Sequence, residues 1–315
     1  MITGATGFVG SHIAEAFVDA GYRVRCGVRA ASNTRWISSL PVERVPLDLS
    51  QPEDFAGAVE GADVVVHAAG ITRARREEDY FLINTEGTQK IAEAAARATV
   101  RRFVLISSLA ACGPDTLAKD GRDRPESAYG RSKLEAEAHL RALNERMETV
   151  TLRPAAVYGP RDTDFLPLFK MARRGFLVLP SAEGLLQPVY AADMARAALA
   201  AACKPVGFGP YPIAGTAYYS WQDVVAGLEG ALGRRIRVLR LPAIVFKLAG
   251  RTAERMAKVR DSVPIFDERR ARDLAVHTWS CDPSGTEKAL DWRAEVSLAE
   301  GLNLTVRWYR KAGWL

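Results

Sequence analysis

The feature that most restricts this chain lies close to its first residue. Thr3-Gly4-Ala5-Thr6-Gly7-Phe8-Val9-Gly10 follows a few apolar residues and runs into an amphipathic stretch at 11–20, which Gly21 closes. The glycines let the backbone turn sharply from strand to helix and admit the close approach of a pyrophosphate. The helix then offers free N–H groups and the positive end of its dipole to that anion. Such a turn between the first strand and the first helix predicts a β-α-β series. Only a few residues precede it, whereas a strand usually holds about five. The spacing therefore predicts a natural start further upstream, the alternative being a first strand this short.

The residues that follow keep the same rhythm. Short β-rich runs at 22–28, 42–47, 62–67, 103–107 and 150–153 alternate with helical stretches at 82–98 and 127–146. The run at 62–67 is apolar without alternation, as in a strand covered on both faces. The pattern predicts an α/β fold, a doubly wound parallel sheet with helices on both sides. Beyond Gly159 the prolines at 167, 180 and 188 interrupt the rhythm. A helix is predicted at 190–203, capped early by Asp193, and a last strand at 211–214. Helices follow at 221–232, 242–258, 267–274 and 298–311. The predicted division is a nucleotide-binding domain of 1–159 plus 187–215 and a smaller, mostly helical substrate domain of 160–186 plus 216–315.

Composition excludes several classes. No apolar run among the 315 residues approaches the ~18 needed to span a bilayer, and the glycines interrupt any leader-like apolar segment at the N-terminus. Cys26, Cys112, Cys203 and Cys281 are too scattered for a disulfide framework or a zinc site, so no metal is expected. Lys and Arg (43) exceed Asp and Glu (37), giving +6, but the two signs are interleaved and no nucleic-acid motif accompanies them. The expectation is a reduced, cytoplasmic protein with a small-molecule substrate and no nucleic-acid partner.

The strand ends carry the candidate cofactor contacts. An acid about 20 residues past the glycine turn selects NAD, whereas an Arg favours NADP. Here the second strand ends in Cys26-Gly27-Val28-Arg29, followed by Ser32, Asn33 and Arg35. Guanidinium groups grip a 2′-phosphate in a bidentate manner, so NADP is favoured. NAD is the alternative, with Arg29 stacked on the adenine. Asp48-Leu49 ends the third strand, where the carboxylate can accept from the adenine amino group or cap the next helix. Ser50 is the better cap. After His67, Ala68-Ala69-Gly70 are small enough for a ribose to lie against the sheet edge, and His67 itself is read as a packed histidine.

Tyr129-Gly130-Arg131-Ser132-Lys133 opens a helix, and Tyr and Lys at i and i+4 share a face. An ammonium beside a phenol favours the phenolate, which suits Tyr129 to proton exchange. Ser107-Ser108 closes the fifth strand and supplies a hydroxyl to orient the same oxygen.

Together these motifs resemble the extended short-chain dehydrogenases/reductases, the NAD-dependent epimerase/dehydratase family with its Rossmann fold. The resemblance spans essentially the whole chain. It rests on Thr3 to Gly10, His67 to Gly70, Asn84 with Gly87-Thr88, Ser107-Ser108, Tyr129 to Lys133, Leu152-Arg153-Pro154 and Val157-Tyr158-Gly159-Pro160-Arg161-Asp162. It implies Ser108, Tyr129 and Lys133 as catalytic residues, Ser108 being preferred to Ser107 by its distance to Gly113. It implies Gly4, Thr6, Gly7, Phe8, Val9 and Gly10 at the pyrophosphate, and Asp48 and Leu49 at the adenine. Ala68, Ala69 and Gly70 would flank the ribose, Asn84 would lie near the phosphates, and Pro154 and Ala155 would flank the nicotinamide. Lys133 would hold the nicotinamide ribose.

Within the family, sugar 4,6-dehydratases carry an Asp-Glu pair after the serine, where this chain has Leu109-Ala110. The 3,5-epimerase/reductases use a Cys two residues beyond it, where Cys112 here lies four beyond. Sugar-nucleotide members hold a phosphate with an Asn at the position of Ala156. The segment around it is closest to the 3β-hydroxysteroid dehydrogenases and dihydroflavonol reductases. The resemblance thus implies hydride transfer between a nicotinamide and a secondary alcohol or ketone of a hydrophobic molecule. The alternatives are a sugar-nucleotide epimerase and a non-catalytic nucleotide-binding subunit. A homodimer is expected through the helices at 82–98 and 127–146, using Ala94, Ala95, Ala136 and Leu140. Phe165, Leu166, Leu168, Phe169, Phe176 and Leu177 can roof an apolar pocket or fill the core between domains. The basic helix at 242–258 is read as packing on its own domain in preference to touching a membrane.

Overall fold

Neighbouring residues of the central strands supply two different cores. Val65, Phe103 and Leu105 point to one, Val66, Val104 and Ile106 to the other, because successive strand side chains face opposite ways. The computed structural model describes all residues except 52–54, 115–121, 182–183, 243, 247 and 253–277. Seven strands make the central sheet: β1 (Ile2–Thr3), β2 (Val24–Val28), β3 (Val42–Pro46), β4 (Val64–His67), β5 (Arg102–Ile106), β6 (Glu148–Pro154) and β10 (Tyr211–Ile213). All pair in parallel, in the order β10-β6-β5-β4-β1-β2-β3. The chain leaves β1 towards β2 and β3, then returns to the other side of β1 for β4 and its successors. That reversal opens a crevice at the carboxyl ends of β1 and β4. β1 holds only two residues, and Met1 extends its pairing by accepting from the Val66 N–H at 2.9 Å.

Helices α1 (Phe8–Asp19) and α7 (Ala191–Cys203) cover one face, where Ala195, Ala197, Ala198 and Ala201 let the two come close over Ile13, Ala14 and Phe17. Helices α2 (Phe55–Val59), α4 (Gly87–Arg97) and α5 (Ala128–Ala142) cover the other. The predicted helix at 82–98 is composite: α3 (Glu77–Tyr80) runs into a π-turn at Phe81–Glu86 before α4. Ala94, Ala95, Ala136 and Leu140, expected at a dimer face, lie instead in the chain's own core between α4, α5 and the sheet. Asp193 does not cap α7. It is the third residue of the helix, fully buried, and its Oδ2 accepts from the N–H groups of Glu295 and Val296 at 3.2 and 3.0 Å, which anchors the C-terminal segment.

The second lobe has its own core of Phe169, Leu177, Leu179, Trp221, Leu228, Leu302, Val306 and Tyr309. It is helical, with α6 (Leu166–Arg174), α8 (Trp221–Leu232) and α10 (Leu298–Lys311), whereas α9 (Ser284–Leu290) packs on α7 and β10 with Leu290 in the first lobe's core. α8 starts where predicted because Ser220 and Asp223 form a reciprocal capping box, and Gly233 at φ 70° ends it. Two short strand pairs were not expected: β7 (Val157–Tyr158) with β9 (Val189–Tyr190), and β8 (Phe176–Pro180) with β11 (Arg237–Leu241). Of the six residues proposed as a pocket roof, Phe169 and Leu177 are core, Phe165, Leu166 and Leu168 lean on it, and Phe176 is exposed. The predicted helix at 267–274 lies outside the described residues. Of 242–258, residues 244–246 and 248–252 are helical. Among the described residues no helix is long and apolar enough to cross a membrane.

Candidate active site

At the crevice, backbone packing explains two glycines of the first turn. A Cβ on Gly10 would stand 2.1 Å from the Gly4 carbonyl oxygen, and one on Gly4, at φ +69°, 2.7 Å from the Ala68 carbonyl carbon. The turn and the loop after β4 therefore lie backbone to backbone. Gly7 is the N-cap of α1 and provides no side-chain cap, so the first N–H groups of the helix remain open to an anion. This cradle fits a dinucleotide pyrophosphate. Phe8 and Val9 are half-buried beside it, with Phe8 edge-on to His12 at 5.7 Å.

Beneath the turn, the Ala69 N–H donates to Thr3 Oγ1 at 3.1 Å, Thr3 Oγ1 meets His67 Nδ1 at 2.8 Å, and His67 Nε2 meets Thr88 Oγ1 at 3.0 Å. A neutral imidazole satisfies both contacts, donating from one ring nitrogen and accepting at the other. Burial, with Lys133 nearby, pulls His67 down to about 3. It is a packed, neutral strut.

At the far side of the crevice Arg29 is exposed at the end of β2, its N–H donating to Ser32 Oγ at 3.2 Å. Asp48, at the end of β3, accepts from both the N–H and the hydroxyl of Ser50 (3.0 and 2.8 Å). Those bonds, with Arg29 contributing, hold its carboxyl below the usual range. Asp48 thus forms a local turn with Ser50. Arg35 lies apart from Arg29, with its guanidinium over the Trp36 ring at 4.0 Å. Leu49 packs against Gly87, where an added Cβ would stand 3.2 Å from it.

Asn84 is fully buried and has no spare polar group. Its Oδ1 accepts from the Ile71 N–H at 2.8 Å, and its Nδ2 donates to the Ile71 carbonyl (3.0 Å) and to Ser132 Oγ (3.1 Å). It ties the loop after Gly70 to α5. A Cβ on Gly70 would meet Asn84 Oδ1 at 2.8 Å and Lys133 Nζ at 3.4 Å, so Gly70 lies next to the lysine.

Ser127 caps α5 by accepting from the Gly130 N–H at 3.0 Å. Gly130 then lets the helix start abut the 3₁₀ turn Leu109–Ala111, since its Cβ would stand 2.3 Å from the Ala110 carbonyl oxygen. This approach brings Tyr129 and Ser108 to one wall. Ser108 caps the 3₁₀ turn by accepting from the Ala110 N–H at 3.1 Å. Tyr129 is half-buried, its ring edge-on to Tyr80 at 6.1 Å. Lys133 donates to the Ile106 carbonyl at 3.0 Å, and burial, opposed by Glu137, brings its ammonium down to about 8.

Behind these residues lies a buried charge network that residue-type reasoning missed. Ser107 donates to Glu137. Arg153 donates from Nε to Glu137 Oε1 at 3.0 Å and from Nη2 to its Oε2 at 2.6 Å, grips Asp123 with two bonds of 2.8 and 2.7 Å, and reaches Cys112 Sγ at 3.0 Å. It joins the end of β5, helix α5 and the end of β6, which are the three elements carrying Ser108, Tyr129 with Lys133, and Pro154 with Ala155. Glu137 lies four residues beyond Lys133 on the same helical face, and that spacing was the available signal. Leu109, Ala155, Ala214 and Cys281 form a small buried apolar cluster, with Cys112 and Trp279 packed against it.

The NAD dependent epimerase/dehydratase family model matches residues 1–213. The chain is 34% identical over 318 residues to a ceramide reductase of Caulobacter vibrioides, covering 100% of this chain and 95% of that protein. It is 25% identical to a decarboxylating sterol-4-alpha-carboxylate 3-dehydrogenase of Saccharomyces cerevisiae, covering 98% and 97% of the two. Among solved structures, the UDP-glucose 4-epimerase of Thermus thermophilus in complex with NAD has the same fold, with a TM-score of 0.77 at 24% identity and 99% and 98% coverage.

Proposed function

The chain belongs to the NAD dependent epimerase/dehydratase family and is an NAD(P)-dependent oxidoreductase of the extended short-chain dehydrogenase/reductase type, and from that premise we propose that it reduces a ketone on a lipid-like substrate with NADPH. The observation that carries this reading is the apolar cluster of Leu109, Ala155, Ala214 and Cys281, which begins at the residue after Ser108. It carries no acid or base for water elimination, and Ala156 leaves no amide to hold a sugar nucleotide. The relative named ceramide reductase, matched along the whole chain, supports a ceramide-like lipid bearing a ketone.

In this reading Gly4, Thr6, Gly7, Phe8, Val9 and Gly10 hold the pyrophosphate, and Asp48 and Leu49 border the adenine. Arg29 takes the 2′-phosphate, because Arg35 is engaged with Trp36. Ala68, Ala69 and Gly70 flank the ribose, Lys133 holds it, and Pro154 and Ala155 lie along the nicotinamide. Asn84 acts on the cofactor only by holding the loop after Gly70. When bound, the cofactor supplies a hydride to the carbonyl carbon. Tyr129 gives its hydroxyl proton to the carbonyl oxygen, and Ser108, already accepting from Ala110, donates its own hydroxyl to that oxygen. Lys133 stabilises the phenolate left on Tyr129. We read residues 1–159 with 187–215 as the cofactor domain, 160–186 with 216–315 as the substrate domain, and the protein as a cytoplasmic homodimer.

The test is NADPH and NADH oxidation by the purified protein with a keto-bearing ceramide analogue in detergent micelles, with Tyr129→Phe as control. Turnover with NADPH should exceed that with NADH. The variant should lose about 10²–10⁴-fold in kcat while still binding NADPH. Inert lipid ketones alongside interconversion of a UDP-sugar would overturn the reading, and so would a variant within a few-fold of the parent.

A further inference from the structure

Two stretches of the second lobe contain cations and no carboxylate, although Asp and Glu make up 37 of the 315 residues. Residues 165–181 carry Lys170, Arg173 and Arg174, and residues 230–252 carry Arg234, Arg235, Arg237, Arg240, Lys247 and Arg251. The fold brings the two together in the parallel pair of β8 and β11, with Phe176 beside Arg237 and Val178 beside Leu239. Leu177 and Leu179 turn inward to the core. On the opposite face, Phe176 is 40% exposed and Leu239 56%.

From Leu241 the chain passes through Pro242 into the helical residues 244–246 and 248–252. There Phe246 is buried, while Ile244 and Leu248, one turn apart, are 57% and 53% exposed and Val245 lies beside them in the open. Large apolar side chains left in water over one continuous surface mark a place of contact. Here they are surrounded by exposed arginines, whose stems lie along apolar surface while their heads meet phosphate.

We propose that this face is the surface on which the protein settles on an anionic lipid bilayer. Leu239, Ile244 and Leu248 enter the boundary between headgroups and acyl chains, and Arg235 and Arg237, which alternate onto the same side of the chain as Leu239, contact the lipid phosphates. The charge pattern selects this occupant: cations spread along two whole segments, with no acid among them, match a plane of repeating negative charge. The Ser181 N–H donates to the Leu241 carbonyl at 2.9 Å, which ties the end of β8 to the end of β11. The inference does not depend on the reaction proposed above, because binding is measured without turnover.

The experiment is co-sedimentation of the full chain with phosphatidylcholine vesicles, with and without phosphatidylglycerol, at low and high salt. The protein should bind the anionic vesicles, and less as salt rises. Ile244→Gln with Leu248→Gln should lower the partition coefficient by about tenfold or more, and Arg235→Gln with Arg237→Gln by about thirtyfold at low salt. Arg44→Gln with Arg97→Gln removes the same charge from exposed positions of the other lobe and should change nothing. All these positions are exposed, and melting temperatures close to the parent's report an intact fold. The proposal is overturned if anionic vesicles are not bound, if the Ile244/Leu248 variant binds as the parent does, or if the Arg44/Arg97 pair loses as much as the Arg235/Arg237 pair. Capture of a soluble acidic protein by this face, without vesicle binding, would also overturn it.

Discussion

Replacing Glu137 by Gln removes one charge from the network behind the catalytic wall and keeps the side chain's shape. Glu137 and Arg153 are both buried, and Arg153 holds Glu137 through Nε at 3.0 Å and Nη2 at 2.6 Å. Breaking a buried pair outright costs about 3–5 kcal/mol. Here Asp123 still grips the guanidinium with two bonds, so the lower end, about 3 kcal/mol, is expected. At roughly 2 °C per kcal/mol for a chain of this size, the melting temperature should fall by about 6 °C. The same change acts on Lys133. Burial brings that ammonium down to about 8 while Glu137 opposes the shift, so removing the carboxylate drives it lower still. The lysine then loses its proton at a lower pH, and the alkaline limb of kcat moves in that direction. Thermal melts and a pH profile of kcat test both parts. A melting temperature within about 1 °C of the parent's, with an unmoved alkaline limb, would refute the idea that this network holds the three elements together and tunes the lysine.

His67 gives a pH prediction. The folded state holds it at about 3 against 6.5 in the unfolded chain. The unfolded state therefore binds more protons in that window, and stability is lost as pH falls from 6.5 towards 3. At pH 5 the loss is on the order of 2 kcal/mol. His67→Gln should shrink the difference in melting temperature between pH 7 and pH 5 by about 4 °C; an unchanged difference would contradict it. Gly10→Ala places a Cβ 2.1 Å from the Gly4 carbonyl oxygen, so NADPH affinity by fluorescence titration should drop by more than about tenfold. Retained affinity would show that the turn yields. Arg29→Ala should raise the Kd for NADPH by about tenfold and leave NADH unchanged. An equal change in both would mean that Arg29 does not read the 2′-phosphate.

The covalent sequence determined the order and type of the main elements, because the signals are local. Gly4 and Gly10 mark a turn that no larger residue can make. The apolar run through Val66 predicts a strand covered on both sides, and Ser220 with Asp223 starts a helix wherever that helix docks. Tyr129 and Lys133 declare a shared face by spacing alone. Tertiary structure decided what each polar group has left to offer. Asn84 and Asp193 have the residue types of ligand contacts or caps, yet Asn84 bonds Ile71 and Ser132 and Asp193 Oδ2 accepts from Glu295 and Val296, while Asp48 bonds Ser50 through Oδ1. Ala94 and Ala136 carry no local mark that separates a dimer face from an internal core. The pairing of β8 with β11 joins residues about sixty positions apart, and it alone gathers two separate acid-free stretches into one cationic, apolar surface. A hydrogen bond or a buried contact depends on which partner arrives across the fold, and spacing along the chain carries no record of that partner.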